Sequence, residues 1–305
     1  ATASRRGSGW NSHSRYRELA VMSDGYVWFE GIPFPVVDCT PEHLRAMQDF
    51  VFKDEDVLTV SFPKSGTNWL VEILCLIYSK GDPTWVQSVP IWERSPWVEN
   101  THGYQILKDK EGPRLITSHV PIHLFPKSIF KSKTKVIYLI RNPRDILVSG
   151  YFFWIISKFV KRPESLEQYF EWFTQGYETL GNWAQYVNAW MLEGQENVLI
   201  VSYEELKQDT RSVVQKICRF LGKKLEPEEL NSLLKHSSFQ VMKENKMSNY
   251  TLLRGWLIED KNGSLMRKGI SGDWKNHLTV AQAEVFDRIF CEKMAGLPPE
   301  LFPWE

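Results

Sequence analysis

Val57-Leu58-Thr59-Val60-Ser61-Phe62-Pro63-Lys64-Ser65-Gly66-Thr67-Asn68-Trp69-Leu70 is the stretch that decides the fold. Residues 57–62 are apolar, partly β-branched and ended by a proline, the pattern of a buried strand. From 66 to 78, Trp69, Leu70, Ile73, Leu74 and Ile77 recur at three- and four-residue spacing, the pattern of a helix. Between the two lies Pro-Lys-Ser-Gly-Thr-Asn, small and polar with one lysine. A loop that enters a helix this way leaves several backbone N–H groups unpaired and aimed in one direction. The helix dipole adds partial positive charge there and Lys64 adds a full one, which outlines a phosphate site. An ordinary strand-to-helix turn with a solvated lysine has the same composition. The loop is not G-x-x-x-x-G-K-[ST], because Lys64 precedes its single glycine, Gly66. No apolar strand ends in a clear magnesium-holding aspartate either, which disfavours a metal-dependent nucleotide hydrolase.

The rest of the chain sets bounds on this reading. Its 305 residues are 43% hydrophobic and 24% charged, enough for one large α/β domain. Formal net charge is zero, so no whole-molecule field favours nucleic acid or an anionic membrane, and any anion site is local. Thirteen tryptophans within 13% aromatics call for a large core or an aromatic-lined cavity. Cys39, Cys75, Cys218 and Cys291 lie far apart without C-x-x-C spacing, which suits reduced thiols in a cytosolic protein. No apolar run reaches bilayer length. Residues 1–21 carry Arg5, Arg6, Arg15 and Arg17 with one acid, Glu18, and are read as a leader or appended extension without a fold of its own. The domain is expected over 22–305, with Met22 as its natural start.

Beyond Met22, apolar strands alternate with helical patterns. An aromatic, proline-punctuated opening at 28–35 leads to a short helix at 42–50. Strands are expected at 57–62, 114–118, 135–140 and 198–203. Helices are expected at 66–78, 143–153, 170–190, 212–221, 226–236 and 280–295. Turn signals and a tryptophan cluster fill 81–100. This alternation argues for a central, mainly parallel sheet covered by helices on both faces.

Ligands in such folds bind outside the carboxyl ends of the strands, and the informative residues follow the strands. Lys64 follows the first and His119 the second. Arg141-Asn142-Pro143-Arg144-Asp145 follows the third, with Ser149 in the helix beyond, and Tyr203 ends the fourth. A second basic segment, Arg267-Lys268-Gly269-Ile270-Ser271-Gly272-Asp273-Trp274, runs two cations into glycines where backbone can approach a ligand closely.

These segments together resemble the signature motifs of the cytosolic sulfotransferases. The resemblance rests on Pro63-Lys64-Ser65-Gly66-Thr67-Asn68-Trp69, on Arg141-Asn142-Pro143-Arg144-Asp145, and on Arg267-Lys268-Gly269 with Gly272-Asp273-Trp274. Trp28-Phe29-Glu30-Gly31-Ile32-Pro33-Phe34-Pro35, Trp92-Glu93-Arg94-Ser95-Pro96-Trp97 and Leu301-Phe302-Pro303-Trp304-Glu305 are most similar to the hydroxysteroid branch, which also acts on bile salts and alcohols. The resemblance runs from Met22 to Glu305. It implies a single α/β domain like that of P-loop NTPases, with a modified loop that binds phosphosulfate.

The resemblance implies 3′-phosphoadenosine 5′-phosphosulfate (PAPS) as donor, its product 3′,5′-bisphosphoadenosine (PAP), and no metal. Lys64, Ser65, Gly66, Thr67, Asn68 and Trp69 would hold the 5′-phosphosulfate. Arg141, Ser149, Arg267, Lys268 and Gly269 would hold the 3′-phosphate, with Tyr203, Ser237, Phe239 and Met242 on the adenine side. His119, in the context Ser118-His119-Val120-Pro121, would be the general base, and Lys64 would also stabilise the leaving group. His123 is read as structural. Trp92, Trp97, Phe153, Trp154 and Tyr250 match or adjoin acceptor positions and suit a rigid polycyclic alcohol: a hydroxysteroid, a sterol or a bile acid. The segment 254–263 departs from the family pattern at the acceptor mouth. Lys275-Asn276-His277-Leu278-Thr279-Val280-Ala281-Gln282-Ala283-Glu284 fits a K-x-x-x-T-V-x-x-x-E dimer segment, which implies a weak homodimer. The expected setting is cytoplasmic, with no nucleic-acid or membrane partner. Two alternatives share the loop: a metal-dependent nucleoside phosphotransferase, and a non-catalytic nucleotide- or lipid-binding protein.

Overall fold

A computed structural model of the chain describes residues 26–35, 39–158, 160–175, 196–259, 264–295, 297 and 302–304. The expected leader at 1–21 lies outside them, as do 176–190 of the helix expected at 170–190, 260–263 of the divergent segment, and residues 301 and 305. The first described element is a hairpin. β1 (Tyr26–Phe29) pairs antiparallel with β2 (Ile32–Pro35). Glu30 and Gly31 turn between them with φ of 49° and 81°, the left-handed pair that a two-residue hairpin loop requires. The opening segment at 28–35 is therefore paired backbone, beyond the aromatic and proline content read from its sequence.

The core of the molecule is a four-stranded sheet of order β4-β3-β5-β6, parallel throughout. Its strands are β3 (Val57–Ser61), β4 (Leu115–Ser118), β5 (Lys135–Ile140) and β6 (Val198–Ser202). Every residue of β3 is buried, as a parallel strand covered on both faces must be. Side chains alternate between two cores. Leu58, Val60, Val136, Tyr138 and Ile140 face the hairpin and the helices Pro143–Trp154, Leu166–Gln175 and Val280–Met294. Val57, Ile137, Leu139 and Val201 face the helices Thr67–Tyr78, Thr210–Leu221 and Pro227–His236.

Several boundaries differ from the sequence reading for local reasons. The helix after the loop starts at Thr67, because Gly66 is its left-handed N-cap. The short helix expected at 42–50 is Pro41–Met47, entered through a Thr40 cap and Pro41. Tyr203 opens a new helix, Tyr203–Gln208, because Ser202 and Glu205 form a capping box that stops β6. The tryptophan-rich stretch folds into the short helices Thr84–Ser88 and Ile91–Arg94. Thr101–Asp109 follows them, capped by Asn100. No helix among the described residues is long and apolar enough to cross a membrane.

Candidate active site

Each strand of the sheet delivers a polar group to its carboxyl edge. After β3 the chain turns sharply. Lys64 has φ of 71° and Gly66 of 104°, both left-handed. A Cβ at Gly66 would lie 2.6 Å from the Tyr203 ring, so the turn and the packing both require glycine there. No side chain caps the helix that follows, which leaves first-turn N–H groups facing the loop. Ser61 and Thr67 join their hydroxyls across the loop at 2.7 Å. The Lys64 ammonium lies 4.2 Å from the centre of the Phe153 ring. Burial, with Arg141 and Arg267 nearby, lowers the Lys64 pKa to about 7.

Arg141 ties two loops together. One guanidinium nitrogen donates to the Lys64 carbonyl at 2.8 Å and another to the Ile270 carbonyl at 3.1 Å, while its plane lies 4.2 Å over the Tyr203 ring. Asp145, one turn into the next helix, accepts from the Gly272 and Trp274 N–H groups at 2.6 and 3.0 Å. The two basic segments are thereby docked on each other. Within the second, Arg267 and Lys268 both pair with Asp273, at 2.6 and 2.7 Å. Burial opposes ionisation of Asp273, but hydrogen bonds from Lys268, Asn276 and Arg267 hold its carboxyl well below the usual range. At Gly269, φ is 64° and a Cβ would meet the Phe239 ring at 2.3 Å.

This region fits an adenosine bisphosphate. Arg141 Nε and Trp69 Nε1, both on residues that line the cavity, are buried without a hydrogen-bond partner, a costly arrangement that a ligand rich in polar oxygens and nitrogens would relieve. Burial, and after it the charges of Arg141 and Arg267, make Lys64 easy to discharge. Tyr203 and Trp69 stack edge to face with centroids 5.6 Å apart, beside Phe239 and Met242.

His119 follows β4 directly and is 4% exposed. Its Nδ1 lies 2.6 Å from the Ser61 main-chain carbonyl, so Nδ1 carries the hydrogen and Nε2 is left as the basic nitrogen. Trp97 meets its ring edge-on at 4.6 Å. The His119 backbone N–H donates to Glu99 Oε1 at 2.7 Å. Burial lowers the His119 pKa to about 4; the Ser61 carbonyl raises it and the Lys64 charge adds to the depression. Burial raises the Glu99 carboxyl to about 7, against hydrogen bonds from the His119 N–H, its own N–H and Ser118.

One cavity of about 610 Å³ joins both halves. Lys64, Gly66, Thr67, Asn68, Trp69, Arg141, Ser149, Tyr203, Phe239, Met242, Arg267, Lys268 and Gly269 line it, as do His119, Trp92, Trp97, Phe153, Trp154 and Tyr250. Ser65 and Ser237 do not line it and lie buried behind. His123 is not in the cavity either. It is exposed on a single turn of 3₁₀ helix, Ile122–Leu124, which corrects its reading as a structural residue: the apolar neighbours point inward and the imidazole outward. Glu99, Lys207 and Trp256 line the cavity without having been singled out in the sequence. Trp256, within 254–263, is 56% exposed. Among the described residues, no three His, Cys, Asp or Glu side chains gather where they could hold a metal ion.

Fold and site define a class: a parallel α/β protein of P-loop-like architecture, with an anion cradle and an apolar chamber sharing one sheet edge. Within that class the chain belongs to the sulfotransferase family, whose domain model matches residues 54–298. It is 65% identical over 286 residues to sulfotransferase 2A1 of Macaca fascicularis, covering 93% of this chain and 100% of that protein. It is 63% identical to sulfotransferase 2A1 of Homo sapiens with the same coverage. Its identity to the 3-beta-hydroxysteroid sulfotransferase of Cavia porcellus is 60%, over 93% of this chain and 99% of that one. Among solved structures, mouse sulfotransferase SULT7A1 complexed with PAP superposes with a TM-score of 0.75 at 29% identity, over 89% of this chain and 95% of that one. Retinol dehydratase, solved with androsterone and PAP, shares the fold with a TM-score of 0.79 at 20% identity. The phosphotransferase and non-catalytic alternatives find no support in these relatives.

Proposed function

We propose that the chain transfers a sulfuryl group from PAPS to the hydroxyl of an apolar polycyclic alcohol, a hydroxysteroid, sterol or bile acid, and that the catalytic unit spans 22–305. The observation that carries this reading is the placement of His119. Its ring is tautomer-fixed by Ser61 and shares one cavity with Lys64, Arg141, Arg267 and Lys268 on one side and the aromatic wall on the other. The hydroxysteroid named in the Cavia porcellus relative supports the acceptor class.

The donor supplies an electrophilic sulfuryl group on a good leaving group; the remaining work falls to this chain. Nε2 of His119 takes the acceptor's proton as its oxygen attacks. Because burial keeps the imidazole neutral, the base is in its working form across the physiological range. Lys64, beside an uncapped helix start, presents positive charge where negative charge develops on departure. Arg141, Arg267 and Lys268 hold the 3′-phosphate; guanidinium forks suit phosphate oxygens. Trp92, Trp97, Phe153, Trp154 and Tyr250 exclude water and seat flat apolar rings. We place the enzyme in the cytosol, as a weak homodimer through 275–284.

The test is transfer of labelled sulfate from PAPS to a panel of polycyclic alcohols, with and without a chelator. Transfer that survives chelation fits the proposal. Labelling of no alcohol would refute it, and loss of transfer on chelation would point to a metal-dependent mechanism instead.

A further inference from the structure

Arg94 heads the largest fully buried side chains, and the chemistry above gives it no task. Its NH1 donates to Glu72 Oε2 at 2.8 Å and its NH2 to Ser248 Oγ at 3.0 Å and the Met247 carbonyl at 3.3 Å. Its Nε donates to the Val89 carbonyl at 2.9 Å. Ser248 Oγ lies 3.0 Å from both Glu72 oxygens. Both ion-pair side chains are 0% exposed.

Three elements meet at this point. Glu72 sits one turn beyond Trp69, on the helix that begins at the anion loop. Arg94 closes the helix Ile91–Arg94, two residues after Trp92. Ser248 stands two residues before Tyr250, whose φ of 63° is left-handed. The Ile91 N–H donates to the Met247 carbonyl at 2.8 Å, so the latter two elements are also joined directly. The Trp92 and Tyr250 rings, 5.4 Å apart, form one wall of the cavity.

A buried ion pair is a weak device for stability, because an apolar pair of similar volume avoids its desolvation cost. What it supplies is direction. A guanidinium fork with several fixed acceptors sets an angle that sliding methyl groups do not. We propose that Glu72, Arg94 and Ser248 form a positioning network that fixes the Trp92–Tyr250 wall against the donor-site helix and thereby decides which acceptors fit. The proposal rests on the reading of Trp92 and Tyr250 as acceptor-contacting residues.

The experiment uses the full chain in three variants. Glu72→Met/Arg94→Met removes both charges and orphans neither, Arg94→Lys keeps the charge and loses the fork, and Trp92→Ala tests the wall itself. Each is assayed for melting temperature, PAP affinity by calorimetry, and kcat and KM with a 3-hydroxysteroid and a short aliphatic alcohol. For the double variant, native melting and PAP affinity are expected. Its KM for the steroid should rise about tenfold, with discrimination between the two alcohols shrinking by a similar factor. A folded double variant with unchanged KM and discrimination overturns the proposal. If the double variant does not fold, Arg94→Lys decides: a raised steroid KM at native PAP affinity supports the network, and an unchanged one refutes it. If Trp92→Ala leaves the steroid KM unchanged, the acceptor reading of the wall falls and the network with it. If Trp92→Ala raises KM while the Arg94 variants do not, the network alone falls.

Discussion

The ring of His119 donates its Nδ1 hydrogen to the main-chain carbonyl of Ser61 at 2.6 Å. A main-chain carbonyl at a strand end cannot rotate away or ionise, so this contact fixes both the tautomer and the direction of Nε2. If Nε2 is the base, His119→Ala should lower turnover by about two to four orders of magnitude. PAP affinity should stay nearly unchanged, since we assign the ring to the acceptor and not to the nucleotide. Steady-state kinetics with titration calorimetry check both halves, and near-normal turnover would mean that the proton leaves by another route.

The same burial predicts a pH profile. With the His119 pKa lowered to about 4, the imidazole loses basicity only as pH falls through that value. The acidic limb of kcat/KM should therefore lie well below the 6.5 of an exposed histidine. An acidic limb near 6.5 that vanishes in His119→Ala would contradict the buried geometry.

Lys64 works in the opposite protonation state, as the charged form. Its pKa of about 7 in the ligand-free site means that the amine is largely neutral at pH 8. An anion beside it restores the charge, so PAP binding at pH 8 should take up a proton, and affinity should weaken as pH rises above 7. At pH 6 Lys64 is already charged and this uptake should vanish. Calorimetry in buffers of different ionisation enthalpy reads the proton directly. Lys64→Met should abolish the difference between the two pH values.

Much of this was legible in the sequence because parallel α/β folds put chemistry after strands. Lys64, His119, Arg141 and Tyr203 each follow or close an apolar run, so period and position placed them at one edge. The unread part is what long-range contact creates. Glu99 reaches the cavity because the segment around it runs along β4, with Val98 N–H donating to the Thr117 carbonyl at 3.1 Å. Nothing in its local pattern signals that pairing. His123 lies between apolar residues, yet a turn of 3₁₀ helix leaves it exposed while Ile122 and Leu124 are buried. Asp145 belongs to the Arg141-Asn142-Pro143-Arg144-Asp145 motif, but its partners lie 127 and 129 residues away.

Those partners make Asp145 testable. It is 2% exposed and accepts two backbone N–H groups that position Arg267 to Gly269 beside Arg141. Asp145→Ala takes the acceptor from two half-buried N–H groups, at a cost of up to about 1–3 kcal/mol each. Lower thermal stability and weaker PAP binding should appear together. Unchanged PAP affinity in a folded Asp145→Ala protein would show that the basic segment docks without it.

Nucleotide selectivity follows from the same docking. Arg141, Arg267 and Lys268 converge on one region, and we assign it to the 3′-phosphate. PAP should bind far more tightly than 5′-AMP, by on the order of 3 kcal/mol or about a hundredfold, because charge-assisted bonds to one phosphate are lost. Equal affinities by calorimetry would remove those three residues from the nucleotide site.

The proposed dimer segment is open to a direct test because its geometry is simple. Thr279 caps the helix Val280–Met294 in a capping box with Gln282. The next residue, Val280, is 77% exposed. Lys275 and Glu284, at the ends of the segment, are exposed as well. Across a twofold axis, the lysine of one copy would meet the glutamate of the other while the two valines pack centrally. An interface this short buries little area, so the association should be weak and dependent on concentration. Val280→Glu places two like charges at the axis and should shift the sedimentation coefficient to the monomer value at every concentration. The cap lies on Thr279, so the substitution should leave the helix and the sulfate transfer intact. A sedimentation coefficient identical to that of the parent protein across the range would exclude this segment as the interface.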